Sequence, residues 1–398
     1  MSGTGTGSAP MAPSAEPLVR LRPLTDDGED ERYMRRALEL AARGLNTTDP
    51  NPRVGCVVAQ HGRIIGEGWH ERAGEPHAEV AALRAAGAQA AGAALYVTLE
   101  PCSHHGRTPP CVEALTAARV ARVVYATDDP NPQVSGRGAA ALRAAGIVVE
   151  AGLMAEEATE LNAGFMKRMR EGRPLLRVKL AMSLDGRTAL ASGESRWITG
   201  EAARHDVHRW RARSSAVLTG VGTVLADDPR LDVRLADEPG AQRRRQPLRI
   251  VLDTQLRTPP QARLLDGGGE VLILTALTAA DDARAAALTA RGARIESLPT
   301  VDGRLALPAV LDRLGELELN EILVEAGATL AGEFLRTSLA DELLLYVGPR
   351  LLGPAARALV TLPELRRLHE APTFTLIDMQ LVGEDLRLRL QPRAPVQS

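Results

Sequence analysis

The stretch EDERYMRRALELAARG, ending at Gly44, has an acidic start, apolar residues at helical spacing and a glycine stop, and it predicts a helix. VGCVVAQ and RIIGEGW flank His61 and Gly62, which predicts two strands joined by a tight hairpin. Helical and apolar stretches then alternate: a helix from about Ala78 to Ala90, strand ALYVTLE, a helix from about Pro110 to Ala118, strand ARVVYATDD, a helix from Arg137 to Ala145 and strand IVVEAG. Helices crossing between buried strands predict a layered α/β sheet.

A second rhythm begins near Pro174. LLRVKLAMSLDG, AVLTGVG, LRIVLDT, VLILTA, EILVEAG and ELLLYVG are apolar runs between turn signals, and TFTLIDMQLVGEDLRLRL closes the chain as a hairpin. The change of rhythm falls at Arg170–Pro174, after a helix carrying LNAGFMKRM, and divides the chain into domains at 28–172 and 173–398. Residues 1–27 are rich in Gly, Ser, Thr, Ala and Pro, the composition of a disordered tail.

Composition removes several function classes. The net charge is -2 and aromatic residues make up 3%, so neither a positive field for a polyanion nor a stacking platform for bases is present. Nucleic acid is not the expected partner. Three cysteines cannot build a disulfide framework, and they point to a reducing cytoplasm with metal or catalytic use for some of them. The chain lacks a run of 18 apolar residues, and its first residues lack the basic start and apolar core of a secretion signal, so no membrane association is expected. Of 48 lysines and arginines only Lys167 and Lys179 are lysines, which makes each of them a position where a guanidinium has not served.

Two of the three cysteines and, counting His70, four of the eight histidines gather around PHAEV and LEPCSHHGRTPPC. His77 follows Pro76 at a predicted helix start, and Cys111 follows Pro109 and Pro110 at another. With Cys102 they make three soft ligands for one zinc per chain, with a fourth position open to water. A helix N-terminus lowers a thiol pKa, so the thiolate is expected at Cys111. Glu79, two residues after His77, is the proton shuttle that the zinc-deaminase pattern H-x-E…P-C places there. A purely structural zinc site has no use for this acid. Cys56, inside VGCVV, reads as core. Lys179 lies within an apolar run, where its ammonium must reach a polar site or else lie at a strand end in solvent. No G-x-G-x-x-G occurs, and EAGATLAGEFL offers instead a strand ending at Glu325 and a helix opened by Gly327, Ala328 and Thr329.

PHAEV, VTLEPCSHHGRTPPC, DPNPQVSGRG, MSLDGRTALASGESRWIT and LADDPRL together resemble the bifunctional deaminase-reductases of riboflavin biosynthesis, from about residue 30 to the end. The resemblance implies two three-layer α/β domains, the first cytidine-deaminase-like and the second dihydrofolate-reductase-like. The first would hydrolytically deaminate a phosphoribosylated diaminopyrimidinone, and the second would reduce the ribosyl group to ribityl with NADPH. It implies substrate contacts at Asn51, His70, His104 and Arg107 in the first domain. In the second it implies substrate contacts at Ser195, Arg211, Leu231, Arg234 and Glu325. Lys179, a lysine kept in a chain that otherwise uses arginine, is expected beside the ribose end of that substrate, to hold a hydroxyl or assist proton movement during hydride transfer. Cofactor contacts follow at Ala181, Trp197, Thr223, Asp227, Thr254, Gly327, Ala328, Thr329, Leu330, Ala331, Gly332 and Glu333. A homo-oligomer is expected. The rival reading is a zinc deaminase acting on another nucleotide or a nucleic-acid base, with an inactive reductase-like domain.

Overall fold

The structure, a computed structural model, describes residues 28–103, 109–131, 134–235, 245–277 and 283–393. The tail expected at 1–27 lies outside them. After helix α1 (Glu29–Ala42), β1 (Gly55–Gln60) and β2 (Arg63–Trp69) pair antiparallel. Between them His61 and Gly62 take φ of 51° and 74°, as a two-residue hairpin turn requires. Helices α2 (Ala78–Ala86), α3 (Cys111–Ala117) and α4 (Arg137–Ala144) alternate with β3 (Ala94–Leu99), β4 (Arg122–Thr127) and β5 (Val148–Ala151). The sheet order is β2-β1-β3-β4-β5, with β3, β4 and β5 parallel. Ala82, Leu115 and Leu142 seal one face from α2, α3 and α4, while Met34 and Leu38 of α1 and Leu161 of α5 (Ala155–Leu161) seal the other, giving three layers. Two glycines of β2 set how close α2 lies: a Cβ on Gly66 or Gly68 would meet the Ala82 or Ala78 carbonyl oxygen at 2.3 or 2.5 Å.

The single helix expected around LNAGFMKRM is two, α5 and α6 (Ala163–Glu171), because Asn162 leaves the helix and bonds the Arg53 main chain instead. Gly172, with φ of 74°, ends α6.

The second domain opens with β6 (Leu175–Ser183), β7 (Arg187–Ala189), α7 (Glu201–Arg213), β8 (Ala216–Gly220), α8 (Val221–Asp227) and β9 (Leu248–Leu252). It continues through β10 (Val271–Thr275), α9 (Ala283–Thr289), β11 (Ala293–Ser297), β12 (Thr300–Val301), β13 (Arg304–Leu305), α10 (Leu307–Glu316), β14 (Glu321–Val324) and α11 (Ala328–Arg336). β15 (Glu342–Gly348), β16 (Arg357–Ala358), β17 (Phe374–Val382) and β18 (Asp385–Pro392) complete it. Nine strands form one sheet in the order β11-β10-β9-β8-β14-β6-β15-β18-β17, parallel from β11 to β15 and antiparallel beyond. Val310 and Phe334 from α10 and α11 cover one face, and Trp210 and Leu288 from α7 and α9 cover the other. Sequence pattern missed β11: Arg294 and Glu296 interrupt its apolar positions, which suits a sheet edge.

Candidate active sites

The first site forms where β3 ends and two helices begin. Cys102 follows β3, His77 is the N-cap of α2, and Cys111 is the first residue of α3. Their ligand atoms lie within 4.8 Å of one another. His77 Nδ1 is 3.1 Å from Cys111 Sγ and 3.5 Å from Cys102 Sγ, spacing that one tetrahedral zinc would span at about 2.0–2.3 Å per ligand. Two thiols and an imidazole are the donor set that zinc selects. Hydrogen bonding from the Cys111 thiol, with the His77 ring and the Cys111 N–H, draws the Cys102 thiol down to about 4 despite burial. The same contact with Cys102, together with burial, pushes Cys111 up.

Glu79 is 4% exposed, and burial raises its pKa, with the neighbouring His77 opposing. Glu100, in the same wall, is spent on structure: its carboxylate accepts the Gly136 and Ala139 N–H groups at 2.9 and 3.1 Å at the start of α4. Glu79, by contrast, faces the cavity of about 340 Å³, which is lined by His77, Glu79, Cys102, Asn51 and His70. His70 is no surface residue. It is 3% exposed, and burial lowers its pKa. Its Nδ1–H donates to the Pro76 carbonyl at 3.1 Å, which leaves Nε2 to accept the Asn51 amide at 3.0 Å. Both nitrogens are thus hydrogen-bonded, one fixing the ring on Pro76 and the other orienting Asn51 in the cavity that His70 also lines. His104 and Arg107 lie outside the described residues. Three wall residues were not singled out from sequence: Asp129, pushed up to about 6 by burial, Arg168 on α6, and Glu318 from the second domain. Only the run DPNPQVSGRG signalled Asp129; nothing local signals Glu318.

The second site is a cavity of about 1600 Å³ above the C-terminal ends of β6, β8 and β14. Ligands bind at such strand ends in open parallel sheets. Lys179, Ala181, Ser195, Arg211, Thr223, Asp227, Leu231, Thr254, Glu325, Gly327, Ala328, Thr329, Leu330 and Glu333 all line it. Arg211 Nε donates to Glu325 Oε1 at 2.5 Å and Nη1 to the Asp232 carbonyl at 2.9 Å. Burial opposes ionisation of Glu325, yet the Arg211 guanidinium holds it down to about 2. Lys179 is half-buried, and burial lowers its pKa. Gly327 caps α11, and its N–H donates to Thr223 Oγ1 at 3.2 Å.

Four expected positions fall outside this lining. Ala331 packs into the core, and a Cβ on Gly332 would meet the Thr361 carbonyl at 2.3 Å, so these two turn inward on α11. Trp197 is 58% exposed, with the Arg204 guanidinium 4.3 Å from its ring centre. Arg234 is exposed, and its N–H donates to His208 Nδ1 at 3.2 Å.

A family profile described as "Cytidine and deoxycytidylate deaminase zinc-binding region" matches residues 27–127, and one described as "RibD C-terminal domain" matches residues 174–388. Riboflavin biosynthesis protein RibD of Escherichia coli strain K12 is 53% identical over 369 residues, which span 91% of this chain and 99% of that protein. Among solved structures, Acinetobacter baumannii RibD is similar at a TM-score of 0.85 and 46% identity, over 92% of this chain and 99% of that one. A diaminohydroxyphosphoribosylaminopyrimidine deaminase/5-amino-6-(5-phosphoribosylamino)uracil reductase from Thermotoga maritima gives 0.80 and 33% over the same shares. By identity along nearly its whole length, the chain belongs to the RibD family of riboflavin biosynthesis proteins.

Proposed function

We propose that the chain carries out both reactions named for its Thermotoga relative: hydrolytic deamination of 2,5-diamino-6-(5-phosphoribosylamino)pyrimidin-4(3H)-one, then NADPH-dependent reduction of the ribosyl side chain of the resulting uracil. The observation that carries this reading is the buried Glu79 carboxyl in the same small cavity as His77 and Cys102, an arrangement idle in a structural zinc site.

His77, Cys102 and Cys111 would hold the zinc, and the chemistry it would supply is a water acidic enough to react near neutral pH. Glu79, its pKa raised by burial, would carry one proton from the attacking water to the ring nitrogen and a second from the resulting hydroxyl to the amine, which leaves as ammonia. Asn51, oriented by His70, holds the pyrimidine edge. In the second site, NADPH would supply the hydride. Ala328 and Thr329 at the start of α11 would offer N–H groups to its phosphates, with Gly327 as the N-cap, its own N–H on Thr223, and Asp227 beside them. Arg211 and Glu325 hold the substrate as a pair, and the Lys179 ammonium grips a ribose hydroxyl or passes a proton at that end. Arg234, exposed at the rim, is available to the substrate phosphate.

Cysteine use fits a reducing cytoplasm. Among the described residues, no helix is long and apolar enough to cross a membrane. A homo-oligomer is supported by β17, the edge strand of the nine-stranded sheet, where Leu376, Ile377, Met379 and Leu381 are exposed.

The test is to incubate the zinc-loaded protein with the diaminopyrimidinone phosphate, first without and then with NADPH. Ammonia is expected in both cases and cofactor oxidation only in the second. Glu79→Gln should lose ammonia release by several orders of magnitude, keep its zinc, and still oxidise NADPH when given the deaminated compound. Ammonia release at the normal rate by this variant would remove Glu79 from the mechanism.

A further inference from the structure

Asn51 faces the deamination cavity from a loop whose flanks are fastened to the other domain. On its N-terminal side, Asp49 Oδ1 accepts the Ser215 hydroxyl at 2.8 Å and the Asn320 side-chain amide at 2.9 Å, and Asp49 Oδ2 pairs with Arg245 at 3.0 Å. The Asn320 amide also donates to the Pro50 carbonyl at 2.9 Å, and its Oδ1 accepts Arg168 Nε at 2.7 Å. On the C-terminal side, Arg53 reaches Glu321 at 2.6 Å and the Arg213 carbonyl at 3.2 Å. Ser215, Asn320 and Glu321 precede or begin β8 and β14, the same strands whose far ends build the reduction cavity.

The two flanks are not equivalent. Arg53 has a second hold within its own domain, since Asn162 bonds its main chain from both sides. Among the described residues, the Asp49 side chain meets partners only in the second domain, and Pro50 is held from α6 only by the long 3.4 Å contact with Arg168. Buried polar groups with fully made hydrogen bonds fix a loop in one arrangement, and small displacements of a substrate contact cost binding steeply.

We infer that Asn320 and Arg245 of the reductase domain are positioning residues for deamination, holding the Asp49–Pro50 turn so that Asn51 meets the pyrimidine. This rests on the reading that Asn51 contacts the substrate. It makes the second domain part of the first domain's binding site, in keeping with Glu318 in the same wall.

The experiment compares full-length, zinc-loaded N320A, R245M and N51A. Deamination is followed with the diaminopyrimidinone phosphate and reduction with the deaminated compound and NADPH. N320A and R245M should each raise the deamination KM about tenfold, with kcat within about threefold, one zinc per chain and reduction unchanged. A merely structural role would impair first the domain that bears the substitution, the opposite of this pattern. Arg245 is partly exposed, so R245M remains informative if N320A folds poorly. Loss of deamination in N51A with normal kinetics in N320A and R245M overturns the inference alone. Normal deamination by N51A removes the Asn51 reading and the inference with it. Parallel loss of both reactions in R245M also counts against selective positioning.

Discussion

Lys179 illustrates what a single residue can signal. It was visible in the sequence because arginine is used almost everywhere else, and the structure removes the reading of a solvated strand end. β6 lies between β14 and β15, and Lys179 shares the cavity with Arg211 and Glu325, its ammonium 5.9 Å from the Tyr346 ring centre. Burial lowers its pKa, Glu325 resists and the Arg211 charge assists. A compact ammonium fits this corner where a second planar guanidinium beside Arg211 would crowd it. Lys179→Arg should therefore slow NADPH-dependent reduction at least about tenfold, roughly 1.4 kcal/mol of transition-state stabilisation, while ammonia release stays at the wild-type rate. Equal reduction rates at matched stability would assign Lys179 a packing role. Other single residues were less legible. The task of His70 depends on the Pro76 carbonyl and the Asn51 amide, and the order of the two thiol pKa values depends on which sulfur receives the hydrogen bonds; neither is a property of spacing.

Among the elements, α7 shows how one helix serves two environments. Asp206, Trp210 and Arg213, at helical spacing, face the interior, while Arg211 lines the reduction site and His208, three residues before it, lies near Arg211 and Glu325. His208 accepts the Arg234 N–H and so fixes the start of the segment beyond Leu231. Burial, with Arg211 and Arg234 beside it and Glu325 and Asp232 opposing, depresses its pKa to about 4. A histidine with a folded pKa below its unfolded value of about 6.5 contributes stability that is complete above 6.5 and is lost as pH falls toward 4, because the unfolded chain takes up the proton first. Urea unfolding at several pH values should give wild type a steeper loss than His208→Gln across this window, by up to about 1.4 kcal/mol per pH unit. Identical slopes would mean that His208 is protonated in the folded chain. Regular elements of this kind were mostly readable from periodicity. Where reading failed, the element lacked a continuous apolar run, as in β11, or was cut by a side chain serving a distant loop, as Asn162 does for Arg53.

At the scale of the molecule, the zinc ligands were legible because they are neighbours in sequence, whereas the junction between domains was not. Arg53 and Glu321 are 268 positions apart. Glu321, 1% exposed, lies among Arg53 of the first domain and Arg177 and Arg213 of the second, at 2.6, 3.1 and 3.0 Å. Burial alone would raise its pKa, but the three guanidiniums hold it well below the carboxylate range, so its stabilisation is present above about pH 4.5 and is lost on acidification. The asymmetry of charge sets a testable order. Glu321→Gln leaves three buried cations without their shared anion and should cost about 3–5 kcal/mol, the range for breaking a buried ion pair. Arg53→Met removes one cation of three, leaves Glu321 paired with Arg177 and Arg213, and keeps an aliphatic side chain in the gap, so its cost should be less than half as large. Urea denaturation followed by circular dichroism should place the midpoints in the order Glu321→Gln, Arg53→Met, wild type. If Arg53→Met is the less stable variant, the junction depends on the packing and carbonyl contacts of Arg53, with Leu161 and Arg213, and not on the anion at its centre.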